Sequence, residues 1–242
     1  MKRLGIYALT IFTLVGVWQL RAMQIDNAAL FPYPINVADA LWSLLGSIET
    51  YRIIAHSLFR LVVSVGASSL VGIALGIVAG FVPVVSLVLR PIVSGLRSLP
   101  VASLIVIILI LYGQQRAVYI IGFLMVFPVM FESAHQGVLN TNPAIVRAMR
   151  IEAVPKWKKL VYVHLPLSVP YIKTGFIQSI GLGFKVLVMA EFIAQTQTSI
   201  GRMLYLGRIN VRYADVFAWS AIIILLVLGF EMLIHRLRRS GA

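Results

Sequence analysis

The sequence predicts an all-α fold, a polytopic membrane helical bundle with about six transmembrane helices. Of its 242 residues, 60% are hydrophobic and 12% are charged, and the mean hydropathy is +0.94. A soluble domain is about 45–50% apolar and about 25% charged. Several apolar runs approach or exceed the ~18 residues of a membrane-spanning helix. The ~10-residue alternating segments that build a membrane β-barrel do not occur.

Six spans follow from the apolar runs, at about residues 4–20, 58–82, 86–112, 117–136, 169–194 and 216–237. The first is an extra N-terminal span, and the others form a core at 58–237 of a single transmembrane domain over 1–242. Span 4–20 has a long apolar centre, and no clean small-residue cleavage site follows it. We therefore predict an uncleaved helix at 4–20, not a secretory signal.

The distribution of basic residues predicts the orientation. The formal net charge is +13. With the N-terminus in the cytoplasm, most Lys and Arg residues outside the spans lie on the cytoplasmic side, as the positive-inside rule requires. Both termini and the long loop between the fourth and fifth spans are therefore predicted to be cytoplasmic. Because the basic residues cluster at span ends, nucleic acid is disfavoured as a partner.

The residue types of common catalytic and metal sites are missing or scattered. The chain has no cysteine, which excludes disulfides, thiol catalysis and Cys-ligated zinc. No G-x-x-x-x-G-K-[ST] segment is present, so no P-loop binds nucleotide here. The four histidines lie at span ends without metal-ligand spacing, at His56, His135, His164 and His235. We predict no catalytic residue, no metal and no cofactor bound by this chain.

The charged residues inside the predicted spans include Glu132, Lys185 and Glu191. Charge within a membrane is costly, so each needs a partner or a water-filled path. In one interpretation all three line such a path. In the other interpretation, Glu132 and Lys185 lie near span ends, and their side chains extend to the membrane–water interface. Glu191 then pairs with a group on a neighbouring helix. Arg60 is predicted to be an interface anchor.

Three glycines at four-residue spacing, Gly72, Gly76 and Gly80, form a ridge of small residues in the second span. Such a ridge lets two helices approach closely. It predicts helix packing, either within the bundle or across a dimer. A pore-lining role is the alternative.

One polar segment, 140–166, separates the fourth and fifth spans. Asn142 and Pro143 fit the start of one short helix, and Pro155 fits the first position of a second that ends at Val163. Leu165-Pro166 is predicted to end the unit. We interpret the segment as a docking element parallel to the membrane, and the alternative is a basic loop that packs on anionic lipid headgroups. Its five basic residues are Arg147, Arg150, Lys156, Lys158 and Lys159.

The segment resembles the cytoplasmic loop of the inner-membrane permease subunits of binding-protein-dependent ABC importers. That loop carries E-A-A, three residues, Gly, and about a dozen residues before L-P. Counting back from Leu165-Pro166 places E-A-A on 147–149, Gly on Ala153 and a common aromatic on Trp157. Further matches resemble the nitrate, sulfonate and taurine branch, and they include S-L-F-R-L-V-V-S-V-G at 57–66, R-P-I-V-S-G-L-R-S-L-P at 90–100 and A-E-F-I-A at 190–194.

This resemblance implies a type I ABC importer permease fold in a bacterial inner membrane. It implies two separate ATP-binding subunits that hold the ATP and Mg, and a second permease copy in a homodimer. An extracytoplasmic substrate-binding protein would dock near residues 31–50 and 195–214. The path candidates are then Glu132, Lys185 and Glu191. The ATPase-coupling residues are Arg147, Ala148, Met149, Arg150, Glu152, Ala153, Trp157, Leu165 and Pro166.

Two residues depart from the family motif, because Arg147 replaces Glu and Ala153 replaces Gly. Glu152 is a candidate to supply the missing acid. The expected cargo is a small organic or inorganic anion such as a sulfonate, taurine or nitrate, or alternatively a vitamin or pyrimidine precursor. Two other classes are weaker alternatives. A membrane-embedded enzyme would use Glu132 and Glu191 without supporting groups, and a secondary transporter would show related halves.

Overall fold

The computed structural model of the chain describes residues 2–141 and 155–240. This part is mostly helical and contains no strand, which confirms the all-α prediction. The helices and the one π-helical turn are α1 (Lys2–Ile25), α2 (Pro34–Leu45), α3 (Ile48–Phe81), α4 (Pro83–Ser98), α5 (Val101–Leu139), α6 (Lys156–Lys159), the π-turn (Leu160–His164), α7 (Leu165–Ala194), α8 (Ile200–Ile209) and α9 (Tyr213–Ser240).

Four helices in the described part of the chain are long and apolar enough to cross a bilayer. They are Ile48–Phe81, Val101–Leu139, Trp157–Ala194 and Tyr213–Phe230, and a shorter apolar helix covers Leu9–Ile25. The chain divides into two compact units, one made of 1–56 and 197–242 and the other of 57–196.

In the first unit, aromatic contacts connect α1 and α9 with the segment before α2. The Trp18 ring stacks on Phe217 at a centroid distance of 5.5 Å, and Phe31 meets Phe217 edge-on at 6.0 Å. Trp18 Nε1 donates to the Pro32 carbonyl at 3.0 Å, so the amphipathic indole has its polar atom paired. Ser199 caps α8 by accepting from the Arg202 amide.

In the second unit, α3 packs in parallel against the later half of α5. Ser68 Oγ donates to the Phe123 carbonyl at 3.1 Å. One turn further on, Gly72 faces Met130 and Phe131, and Gly80 faces Val138. In these contacts the residue numbers on α3 and on α5 increase together, so the two helices run in the same direction. The ridge of glycines therefore lies against α5 of the same chain.

The second half of α5 and helix α7 pack in antiparallel directions. Gly183 on α7 faces Val126, Gly175 faces Ser133, and Gly137 on α5 faces Ser168 at the beginning of α7. Because α3 and the later half of α5 are parallel, residues 82–112 must return across the bundle between them. At 1.5 Å per residue this stretch exceeds the ~30 Å of a hydrocarbon core. The six-crossing prediction is consistent with this topology.

The predicted span 86–112 is not one continuous helix. It is interrupted at Leu99, whose φ of −68° and ψ of 134° are extended, and α5 begins after Pro100. Proline pushes its preceding residue out of the helical region, which explains the break. A second interruption lies inside α5 at Gly113, with φ 74° and ψ 170°. Glycine tolerates this positive φ, and the predicted boundary between spans 86–112 and 117–136 falls there.

The prediction that Leu165-Pro166 ends the loop unit is wrong. The chain is helical from Lys156 through the π-turn into α7, and Pro166 occupies the first turn of α7. Pro166 cannot donate a backbone hydrogen bond to the preceding turn. The helix accommodates this with a wider turn, in which the Leu165 amide donates to the Leu160 carbonyl. The proline widens the helix and does not end it.

Candidate functional site

A cleft between α4 and α5 carries both signs of charge. Its volume is about 390 Å³, and its lining residues are Arg90, Val93, Ser94, Arg97, Ser98 and Glu132. Arg90, Ser94 and Arg97 follow i, i+4, i+7 spacing and therefore share one face of α4. Both arginines are exposed, whereas Glu132 is half-buried. We refer to this feature as the Arg90–Glu132 cleft.

Two contacts hold α4 in place beside α5. Val93 is buried in a cluster with Ala79, Phe127 and Phe131. His135 Nε2 hydrogen-bonds with Ser86 Oγ at 3.0 Å, and its ring stacks on Phe131 at 5.7 Å. The apolar face of α4 is therefore fixed against the bundle, and its arginine face lines the cleft.

A second, more open cleft of about 680 Å³ continues from Glu132 between α5 and α7. Most of its lining residues carry a polar side-chain group, and they are Glu132, Ser133, Gln136, Asn140, Pro170, Tyr171, Thr174 and Gln178. Gln136 Nε2 donates to Glu132 Oε1 at 2.7 Å, which orients the carboxylate. Glu132 lines both clefts, so the two are continuous and form one surface with polar side chains.

The structure separates the three intramembrane charges. Glu132 lines both clefts. Lys185 is exposed and well inside α7, on the same stripe as Thr174 and Gln178 but about 10 Å beyond Gln178 at helical rise. Glu191 is 0% exposed. The polar surface therefore brings Glu132 together with Arg90 and Arg97, and it does not bring Glu132 together with Glu191.

Glu191 lies in a buried charge network between α3 and α7. Arg60 Nη1 donates to Glu191 Oε1 at 3.0 Å, and Ser57 Oγ lies 2.9 Å from both carboxylate oxygens. Arg60 is 6% exposed, so the prediction that it anchors at the membrane interface is wrong. A charge can be buried in this way only when its partner and its hydrogen bonds compensate for the lost hydration.

The base of the predicted docking element is joined to the bundle through His164. Thr141 Oγ1 contacts His164 Nδ1 at 2.9 Å and donates to the Val138 carbonyl at 2.9 Å. The Phe81 ring meets His164 edge-on at 5.6 Å. The ends of α3 and α5 and the beginning of α7 therefore meet at one histidine.

Of the predicted coupling residues, Trp157, Leu165 and Pro166 lie in the described part of the chain. Trp157 is 60% exposed on α6, and Leu165 and Pro166 begin α7. The remaining residues lie outside the described residues, namely Arg147, Ala148, Met149, Arg150, Glu152 and Ala153.

Sequence reasoning missed the arginines of the cleft and the Thr141–His164 contact. Arg90 and Arg97 were used only as part of the family match at 90–100, although their i, i+7 spacing with Ser94 between them indicates a polar helix face. Glu132, Gln136 and Asn140 likewise form an i, i+4, i+8 polar stripe. The Thr141–His164 contact joins residues on either side of the polar segment, and no local pattern predicts it.

An all-helical polytopic bundle with a polar surface between its helices is typical of membrane transport proteins. Residues 72–239 match the family described as "Binding-protein-dependent transport system inner membrane component". Since this match covers more than half of the chain, the chain belongs to that family. The resemblance found in the sequence is confirmed.

Three curated relatives are transport permeases. The taurine transport system permease protein of Escherichia coli (strain K12) is 27% identical over 92% of this chain and 82% of the relative. The nitrate import permease protein of Leptolyngbya laminosa is 32% identical over 77% of this chain and 69% of the relative. A putative aliphatic sulfonates transport permease protein of Bacillus subtilis (strain 168) is 24% identical over 89% of this chain and 78% of the relative.

Proposed function

We propose that this chain is the membrane-spanning permease subunit of an ATP-driven importer for a small sulfonate or other small anion. The observation that carries the proposal is the continuous polar surface over α4, α5 and α7, with Arg90 and Arg97 at one end. In a bilayer such a surface is stable only against water, cargo or another protein chain. A second copy of the chain would enclose it as a translocation path.

ATP hydrolysis takes place on separate partner subunits in this proposal, because the sequence has no P-loop. Segment 140–166 docks on them from the cytoplasmic side, and both termini lie on that side too. His164 transmits the movement of this segment to the helices that line the path. It contacts Thr141 after α5 and Phe81 at the end of α3. The same helix α5 carries Glu132, so the docking element and the cleft share one rigid support.

An extracytoplasmic binding protein delivers the cargo to the opposite side. Segments 31–50 and 195–214, which the resemblance assigns to this contact, meet in a groove of the first unit. The groove has a volume of about 260 Å³, and residues from both segments line it, among them Leu44, Ser47, Met203, Leu206 and Asn210. Trp42, which lies on α2 within segment 31–50, is 80% exposed. Exposed aromatic residues of this kind are enriched at protein interfaces.

The decisive experiment is purification of the tagged chain from its native membrane, followed by reconstitution into vesicles. We expect a P-loop ATPase to co-purify, and ATP-dependent uptake of a labelled sulfonate when the binding protein is present. Uptake driven by an ion gradient without any ATPase would identify a secondary transporter and would overturn the proposal.

Replacing Trp157 by Ala is expected to weaken association with the ATPase subunits. An aromatic hot-spot residue at an interface centre contributes about 2 kcal/mol or more, which corresponds to about a thirtyfold or larger loss of affinity. The measurement is titration of purified ATPase onto the permease in nanodiscs. Trp42→Ala, which removes another exposed tryptophan, this one on α2, is the matched control and should leave this affinity unchanged. Equal affinities for the two variants would contradict a docking role for Trp157.

Replacing Thr141 by Val is expected to uncouple transport from hydrolysis. Valine keeps the shape and removes the hydroxyl that contacts His164 and donates to the Val138 carbonyl, so two hydrogen bonds of about 1 kcal/mol each are lost. We expect a several-fold fall in substrate imported per ATP hydrolysed, with ATPase binding retained. Thr13→Val, which removes an exposed hydroxyl on α1 bonded to its own helix, is the control. A normal transport ratio in Thr141→Val would show that this contact does not transmit the movement.

A further inference from the structure

We propose that the Arg90–Glu132 cleft selects a small zwitterion, a molecule with a sulfonate or carboxylate group at one end and an ammonium group at the other. The inference rests on the proposed function, because it assigns a substrate class to one part of the path. Glu132 is then a specificity-determining residue.

The charges of the cleft are not paired with each other. Among the described residues, the ion pairs within 4.0 Å are Arg52–Glu49, Arg60–Glu191 and Arg212–Asp215. Arg90, Arg97 and Glu132 belong to none of them. Two guanidinium groups and a carboxylate therefore line one cleft without neutralising each other. A ligand that carries both charges fits the space between them.

The groups that line the cleft match the two ends of such a ligand. A guanidinium binds sulfonate or carboxylate oxygens through two parallel N–H donors. Ser94 and Ser98 add neutral hydroxyl groups on the same side. A carboxylate offers about four acceptor positions, and the amide of Gln136 occupies one on Glu132 at 2.7 Å. The remaining acceptor capacity suits an ammonium group, which has three donors and no acceptor.

A simple anion fits the cleft less well. Glu132 is half-buried, so its charge is screened less than it would be in open water. It would repel nitrate or a sulfonate without an ammonium group. The cleft volume of about 390 Å³ also leaves room for a small organic ion with several waters, at about 30 Å³ per water.

The test measures ligand binding to the permease–ATPase complex in nanodiscs. Labelled taurine is the zwitterionic probe, and 2-hydroxyethanesulfonate is the competitor that has a hydroxyl in place of the ammonium group. We expect the wild-type complex to prefer taurine. Glu132→Gln should lower the ratio of taurine affinity to competitor affinity about tenfold, the scale of one charge-assisted hydrogen bond. Arg97→Gln should weaken both sulfonates by similar factors and leave the ratio unchanged.

Asp39→Asn, the same loss of a carboxylate charge at an exposed position of α2, is the matched control and should keep the wild-type ratio. An unchanged ratio in Glu132→Gln overturns the inference, as does absence of taurine binding to the wild-type complex. The ratio compares two ligands on one preparation, so partial unfolding does not imitate the effect. ATP-driven uptake by the complete importer is measured in parallel. Sulfonate uptake with no role for Glu132 refutes only the inference, and absence of any sulfonate uptake refutes the proposed cargo.

Discussion

Replacement of Arg60 by Met is expected to destabilise the protein strongly. Glu191 is 0% exposed and accepts a hydrogen bond from Arg60 Nη1 at 3.0 Å. Removing the guanidinium leaves a carboxylate charge buried between α3 and α7. Breaking a buried pair in this way costs about 3–5 kcal/mol. The measurement is the unfolding free energy of the purified chain in detergent, titrated with SDS.

Two further variants separate this effect from a general effect of charge removal. Arg52→Met breaks an ion pair with Glu49 in which the side chains are 67% and 57% exposed, and such pairs contribute about 0–1 kcal/mol. Arg60→Met combined with Glu191→Gln removes both charges, and we expect it to recover much of the stability lost in Arg60→Met. If Arg60→Met is no less stable than Arg52→Met, the pair does not hold α3 against α7.

Patterns along single helices were sufficient to predict most of the fold. Apolar length predicted the helices now seen as α3, α5, α7 and α9, and the boundary near residue 112 coincides with Gly113. The break at Leu99 was missed because apolar length alone does not register the effect of Pro100 on its neighbour. The opposite error occurred at Pro166. The π-turn before Pro166 accommodates the missing backbone donor, so the helix continues through the proline.

The candidate site was predicted less completely, because it depends on contacts between distant residues. In the sequence, Glu132, Lys185 and Glu191 look alike, since each is a charge in an apolar run. In the structure, Glu191 differs from the other two because it is paired with Arg60, which lies 131 positions earlier in the sequence. Similarly, α4 brings Arg90 and Arg97 beside Glu132 only after it packs on α3 and α5. No local spacing rule contains that information.

Replacement of Gly76 by Ala is expected to destabilise the α3–α5 contact, although alanine is the better helix former. A Cβ at this position would lie 2.9 Å from the Ala134 Cβ and 3.1 Å from the His135 backbone nitrogen. Backbone cannot rotate away as a flexible side chain can, so the two helices must separate. Overpacking of this kind typically costs about 1–3 kcal/mol. The helix propensity gained from alanine, about 1 kcal/mol, offsets only part of it.

A second glycine on the same helix provides the control. A Cβ at Gly66 would meet no atom within 4 Å, so Gly66→Ala should be neutral or stabilising by the same propensity argument. SDS titration of the two variants compares their unfolding free energies directly. We expect opposite signs, with Gly76→Ala below and Gly66→Ala at or above the wild type. If both variants are stabilised, α3 and α5 are not in close contact at Gly76. If both are destabilised, Gly66 lies against a surface outside this chain, which in a permease dimer would be the second copy.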